Sequence, residues 1–222
     1  MNKQVRIREL FDVSASLIRP WAEKCEYPWE LLPQIAPAIR QLVEEGLEGY
    51  EEVQPGVWAA PGVKIARTAT FEGLCILGAG TEVRPGAYIR GNVLVGEKCV
   101  LGNSSEFKNC ILLDHVQAPH YNYVGDSILG NYAHTGAGTI CSNLKSDGKP
   151  VVIHGDEDYV TGIRKIGAFL GDHADAGCSC VLNPGTILGR YTRVYPMTSV
   201  RGVIPGHCIV KSQADIVEIE ER

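Results

Sequence analysis

Residues 65–113 read IARTATFEGLCILGAGTEVRPGAYIRGNVLVGEKCVLGNSSEFKNCILL, and every sixth residue is bulky and apolar: Ile65, Phe71, Leu77, Val83, Ile89, Val95, Leu101, Phe107, Leu113. In a chain that is 45% apolar, nine such hits would arise by chance at about 10⁻³ per frame. Four residues after each bulky position stands a mostly small one, among them Ala69, Cys75, Thr81, Ala87, Cys99 and Ser105. The residue directly after it is often Gly or charged: Gly78, Arg84, Arg90, Gly96, Gly102, Lys108. The period continues through Leu129 and Thr135 and resumes at Leu170, Ala176, Leu182, Leu188, Val194 and Val200. Six residues are three strand steps of two, which is neither a helical period nor that of a lone amphipathic strand. The pattern predicts short strands joined by tight turns and wound into a parallel β-solenoid of roughly seven coils over 57–208.

Working outward, residues 1–50 differ. Val5 to Leu17 and Trp29 to Val43 carry apolar residues at helical spacing, punctuated by Pro20, Pro28, Pro33 and Pro37. They predict a helical cap over the open end of the solenoid, since terminal repeats need covering. Residues 142–168 break the period with a polar, mixed-charge loop turning at Ser146-Asp147-Gly148; a loop of that length is usually functional or contacts a partner. Residues 209–222 form a C-terminal tail whose acidic end reads as a strand or frayed terminus.

Composition limits the function. The 222 residues carry a net charge of −5 without a basic block, which disfavours nucleic acid and anionic membrane as partners. No apolar run reaches membrane-spanning length, and MNKQVRIRELFD is no signal peptide. Eight cysteines include no C-x-x-C pair and several occupy small-residue slots, so reduced thiols in a cytoplasmic protein are expected, with no structural zinc.

Ideal 18-residue coils would align Arg84, Gly102 and His120 along one edge, with His120 roughly 10 Å above Arg84. Lys108 would lie on the neighbouring edge. A cationic fork, a gap and an imidazole suit an anionic substrate with a reacting nucleophile; solvated corner charges and a surface histidine are the plainer alternatives.

The hexads resemble the left-handed parallel β-helix of hexapeptide-repeat acyltransferases, and the left hand and a homotrimer are implied by that resemblance. The stretch GNSSEFKNCILLDHVQAPHYNYVGDSILGNYAHTGAGTICSN, 102–143, is more specific. It holds Glu-x-Lys, His-x-x-Tyr before VGD, then GAGT and a following Asn. It resembles the acetyltransferase domain of the bacterial bifunctional N-acetylglucosamine-1-phosphate uridyltransferases, and still more the archaeal sugar-1-phosphate nucleotidyltransferase/amino-sugar acetyltransferases. The resemblance implies an acetyl-CoA-dependent N-acetyltransferase acting on an amino sugar phosphate such as glucosamine 1-phosphate. His120 would be the general base and Asn143 would orient the acetyl group or the base. Arg84, Lys108, Tyr123 and His134 would bind the sugar phosphate, with Lys149 reaching it from a neighbouring subunit. Ala137, within Gly136-Ala137-Gly138, and Cys178 would face the coenzyme, the turn's N–H groups serving the thioester oxygen.

The sequence departs from that family at three residues and in two extra hexads, one after Arg84 and one near Ala176. Bacterial members carry Asn at His134 and Tyr at Leu144, and a Ser aligns with Cys178. The Gly-rich phosphate loop of the relatives' nucleotidyltransferase domain is not found in these residues; Gly78-Ala79-Gly80-Thr81 lies inside the hexad register. Uridylyl transfer is therefore not expected, although relatives' names as UDP-N-acetylglucosamine pyrophosphorylases would carry it. Two other readings stay open: a catalytically silent, sugar-nucleotide-binding scaffold trimer, and a γ-type carbonic anhydrase, whose zinc-ligand spacing His115 and His120 share.

Overall fold

The computed structural model describes residues 4–212 and 215–218. From Val57 onward the chain is a three-faced parallel β-helix, as the six-residue period predicts. Face one stacks Lys64–Ile65, Glu82–Val83, Val100–Asn103, Gln117–His120, His134–Thr135, Asp175–Ala176, Arg193–Val194 and Cys208–Ser212. Face two runs from Thr70–Glu72 through Tyr123–Gly125 to Ser199–Val200, and face three from Val57–Ala59 through Ile128–Leu129 to Val203–Ile204. Tyr88–Val95 and Glu106–Leu112 bend around the corner between faces two and three. Side chains alternate across each strand, so Val83, Leu101, Ala118, Ala176 and Val194 share the interior with Ile89, Phe107, Val124 and Leu182 from face two.

The coils are not uniform. Lys64, Glu82 and Val100 pair at 18-residue intervals, but Gln117 and His134 follow at 17. The shortening falls at the corner between faces two and three. Arg90 pairs with Lys108 and Val93 with Cys110, so Asn109 alone spans what Gly91-Asn92 spans one coil earlier. Two sequence expectations change. Leu112, not Leu113, pairs with Val95 inside the solenoid, while Leu113 packs in a separate outer cluster. His120 pairs with Asn103, so Pro119 takes the place above Gly102 and Arg84. A Cβ on Gly102 would collide with the Pro119 backbone, which explains the glycine.

The helical segment also sits elsewhere than expected. Its helices, Ile7–Leu10, Arg19–Ala22, Pro28–Leu31 and Ile35–Glu45, lie along the flank of face three rather than over an open end. Leu10, Trp29, Leu31, Ile35 and Ile39 form a second core with the outward column Ile76, Leu94, Ile111, Ile128, Phe169, Ile187 and Val203. The Trp29 and Phe169 ring centroids are 6.5 Å apart. Burying each such residue is worth about 1.5–3 kcal/mol, so an uncovered column would be a large sticky patch. The 142–168 insert contributes to the same cover. Its antiparallel hairpin, Val152–His154 with Asp158–Val160, sends Val151 and Ile153 into this core and sets Tyr159 against Tyr27 and Trp29. Strand Asp215–Glu218 pairs antiparallel with Cys208–Ser212; the remainder of the expected acidic tail lies outside the described residues. Among the described residues no helix is long and apolar enough to cross a membrane.

Candidate active site

The corner between faces one and two carries His120, Ala137 and Cys178 on consecutive rungs. Gln117 pairs with His134 and His134 with Asp175, which brings each residue three positions later into one column, rising about 4.8 Å per rung. The 142–168 insert leaves the solenoid and returns in register, so Cys178 follows Ala137 directly; Ser179 N–H donates to the Ala137 carbonyl and Gly138 N–H to that of His120. Of the three N–H groups in the glycine-rich turn, Gly136 donates to Ala176 and Gly138 to His120. The Ala137 N–H has no acceptor among the described residues and is half-buried. It is the open donor of the turn, one rung above an exposed imidazole.

Asn122 fixes this corner from inside. Its buried side chain accepts the His120 N–H (3.1 Å) and donates to the Gly136 carbonyl (2.7 Å), joining the two rungs. The His120 side chain has no hydrogen-bond partner among the described residues and is exposed.

Face two carries a polar outer column. Asp126, only 5% exposed, accepts from Lys108 Nζ (2.9 and 3.1 Å), Asn109 Nδ2 (3.0 Å) and Asn143 Nδ2 (2.6 Å). Four charge-assisted bonds hold three side chains in one arrangement. Asn143 also donates to the Tyr123 hydroxyl (3.0 Å), leaving the phenol's own proton to point elsewhere. Burial first, then the Glu106 and Asp126 charges, push the Tyr123 pKa up, so the phenol is a donor at neutral pH. The Tyr123 ring lies against Gly125, where a Cβ would collide with it.

The sequence-derived residues thus divide. Lys108, Tyr123 and Asn143 meet through Asp126, and His120, Ala137 and Cys178 share the corner. His134, on face one, bonds Asp175 of the next rung through Nδ1 (2.7 Å). Lys149 is exposed in a turn where Asp147 accepts its N–H (3.0 Å). Arg84 does not join Lys108: it pairs with Glu82 (3.4 Å) at the start of the His120 corner. The cation in register with Lys108 is Arg90, bonded to Glu106 (2.5 Å). Asp126, Asn122 and Arg90 were not singled out in the sequence. Asp126 lies in the VGD motif, but its burial is a feature of the fold. Arg90 could have been found from its 18-residue step to Lys108, which crosses no insertion. Of the pair with zinc-ligand spacing, His115 stacks on Tyr132 at a different corner (4.4 Å between centroids). Among the described residues no group of three His, Cys, Asp or Glu converges on a metal-sized site.

The family model described as the GMPPB C-terminal domain matches residues 71–216. The "Bifunctional protein GlmU" of Methanococcus aeolicus is 34% identical over 144 residues, covering 57% of this chain and 35% of that protein. The "Bifunctional sugar-1-phosphate nucleotidylyltransferase/acetyltransferase" of Sulfurisphaera tokodaii is 36% identical over 113 residues, 50% of this chain and 28% of that one. The chain therefore spans about a third of the length of the curated relatives it matches. Among solved structures, the N-acyltransferase AntD from Bacillus cereus, in complex with dTDP-4-amino-4,6-dideoxyglucose and coenzyme A, aligns over 82% of this chain and 88% of its own, with a TM-score of 0.47 and 12% identity.

Proposed function

The chain belongs to the family of the GMPPB C-terminal domain, and from that membership we propose that it transfers an acetyl group from acetyl-CoA to the amine of an amino sugar phosphate. The observation that carries this reading is the open Ala137 N–H one rung above the His120 imidazole, on a corner whose next rung is Cys178. The relatives whose names include an acetyltransferase or GlmU support the reaction class.

In this reading the thioester oxygen accepts from Ala137 N–H and the coenzyme's thiol end runs toward Cys178. The neutral amine attacks the thioester carbon and the new N–C bond forms as the carbonyl electron pair moves onto oxygen. Ala137 N–H stabilises that oxyanion, while His120 takes the proton lost by the attacking nitrogen. Collapse expels the coenzyme thiolate, which takes up a proton, leaving the N-acetyl sugar and free thiol. Lys108 and Arg90 offer the charge for the phosphate, and Tyr123 donates to a sugar hydroxyl. Asn143 acts through Tyr123 as a positioning residue rather than on the reacting atoms, because both its observed bonds go to Tyr123 and Asp126. The corner and face two lie on an outer surface, so a second solenoid must close the cleft. Val181, Tyr195 and Met197, exposed near Cys178, suit that contact, and the exposed Lys149 would reach across it in a homotrimer.

A thiol-release assay with acetyl-CoA and a panel of amino-sugar 1-phosphates tests the reading. Release should need an amine-bearing acceptor and fall by about 10²–10⁴-fold in His120→Ala. Wild-type protein that binds such sugars without releasing thiol would instead make it the silent binding trimer.

A further inference from the structure

The corner between faces three and one has no part in the acetyl-transfer reading, yet it carries a continuous stack of five rings. His115, Tyr132, His173, Tyr191 and His207 occupy one column, each with φ between 55° and 61°. Their rings stack in series at centroid distances of 4.4, 4.9, 4.6 and 5.0 Å. Each inner ring covers its neighbours' faces, so the column presents ring edges, with imidazole nitrogens and phenol oxygens. Beside it runs a polar column, Asp114, Asn131, Asp172 and Arg190. Buried Asp172 accepts the N–H groups of Asp12 and Asn131 (both 2.8 Å) and pairs with Arg190 (3.2 Å). Asn131 Nδ2 donates to the Asp12 carbonyl (2.7 Å). Two consecutive rungs thereby hold the 12–16 turn of the helical segment away from the ring column.

Two adjoining cavities result. One, of about 650 Å³, is lined by Arg6, Arg8, Arg19 and Arg190 together with Phe11 and Ser14. The other, of about 360 Å³, lies between the 12–16 turn and the ring column and is lined by Asp114, Asn131 and Asp172. Asp12, Ser14 and Arg190 belong to both. In the first, Glu26 pairs with Arg6 (3.0 Å) and Glu23 with Arg19 (2.7 Å). Exposed Arg8 has no ionic partner among the described residues, in a chain of net charge −5. The lining sets these four arginines against the three carboxylates of Asp12, Glu23 and Glu26, and a paired guanidinium keeps further N–H groups to offer, so a compact oxyanion fits beside Arg8. The second chamber presents carboxylate, amide and hydroxyl groups, which suit the hydroxyls of a polyol. Each chamber by itself falls in the size range of small-molecule sites.

We propose that this cleft is a second ligand site, separate from the acetyl-transfer corner, that takes a phosphorylated sugar with its phosphate on the Arg8–Arg19 side and its hydroxyls toward Asp114 and Asn131. The helical segment, besides covering face three, makes one wall of this site.

Glucose 1-phosphate, which has no amine to acetylate, and inorganic phosphate are the probes, titrated by NMR with the imidazole signals of His115 and His173 as reporters. Glucose 1-phosphate should shift both signals, and bind equally in wild type and Lys108→Ala. It should bind at least tenfold more weakly in Arg8→Ala and in Arg19→Ala, and recover in Arg8→Lys. Thermal unfolding of the variants separates lost binding from lost fold, and thiol release from an amino sugar should be unchanged in Arg8→Ala. Inorganic phosphate should bind more weakly through the same arginines. Shifts absent in wild type, binding abolished by Lys108→Ala and untouched by Arg8→Ala, or equal affinity for phosphate and glucose 1-phosphate would each overturn the assignment.

Discussion

Faces two and three share a backbone and an interior but differ in what they turn outward. Face two turns outward the half-buried Tyr88, Arg90, Glu106, Lys108 and Tyr123, with Arg90 paired to Glu106 and Lys108 to Asp126. Face three is closed over: in Cys75–Leu77, Ala168–Leu170 and Thr186–Leu188 every residue is buried, the middle one beneath the helices and the hairpin, while Trp58 in its first strand is half-buried. Strands buried on both sides read as unbroken apolar runs, and strands buried on one side alternate. The inward column makes a solenoid in both cases. The outward column decides which face becomes a second core and which stays polar.

The largest test of that contrast is to remove residues 4–50. Face three would then present its apolar column to water, and the remaining solenoid should aggregate on size-exclusion chromatography; a well-behaved, folded solenoid would show that the cover is dispensable. Next in size, Phe169→Ala opens a cavity between Trp29 and the sheet and should cost about 3–5 kcal/mol in denaturant unfolding. On face two the effect should appear in substrate handling rather than in folding. Arg90→Ala should raise the acceptor KM about 10–100-fold through loss of charge-assisted bonds, while Arg84→Ala should leave it within about twofold. The reverse order would restore Arg84 to the site and undo the face-two assignment.

The smallest effect separates interior thiols from the corner thiol. Burial pushes Cys99 and Cys141 up to about 12 from 9.0 and also raises Cys75 and Cys110 well above that ordinary value, whereas Cys178 is exposed. A thiol reagent near neutral pH should modify Cys178 before any of these four. Because the folded values lie above the unfolded one, the thiols' contribution to stability is complete below pH 9. It is lost as pH rises toward 12, since only the unfolded chain ionises in that window. Each thiol should lower unfolding stability by about 1.4 kcal/mol per pH unit there, measurable as a falling urea midpoint.

Much of this was legible in the residues. Leu77 to Phe107 in steps of six give the interior, with Phe71 partly buried and Ile65 exposed at the first coil, and the resumed run from Leu170 to Val200 returns in the same register. The step fails at Leu113 because Leu112 and Leu113 are both apolar, so hexad counting does not register a coil shortened by one residue at Asn109. That slip moved His120 off Arg84. The cover over face three had a signal that was passed over, in the runs Cys75-Ile76-Leu77 and Val93-Leu94-Val95. Asp126 left almost none, since a carboxylate after Val-Gly is ordinary until Lys108, Asn109 and Asn143 are seen around it.

By itself the sequence determined the repeat, the inward column and the presence of His120, Tyr123 and Asn143, because side-chain alternation with a tight turn every six residues has few other solutions. Tertiary structure decided which residues stand above one another, where the helices lie and what surrounds Asp126. Those depend on coil lengths of 18, 17 and 41 residues, and a one-residue change in a corner moves every contact stacked above it.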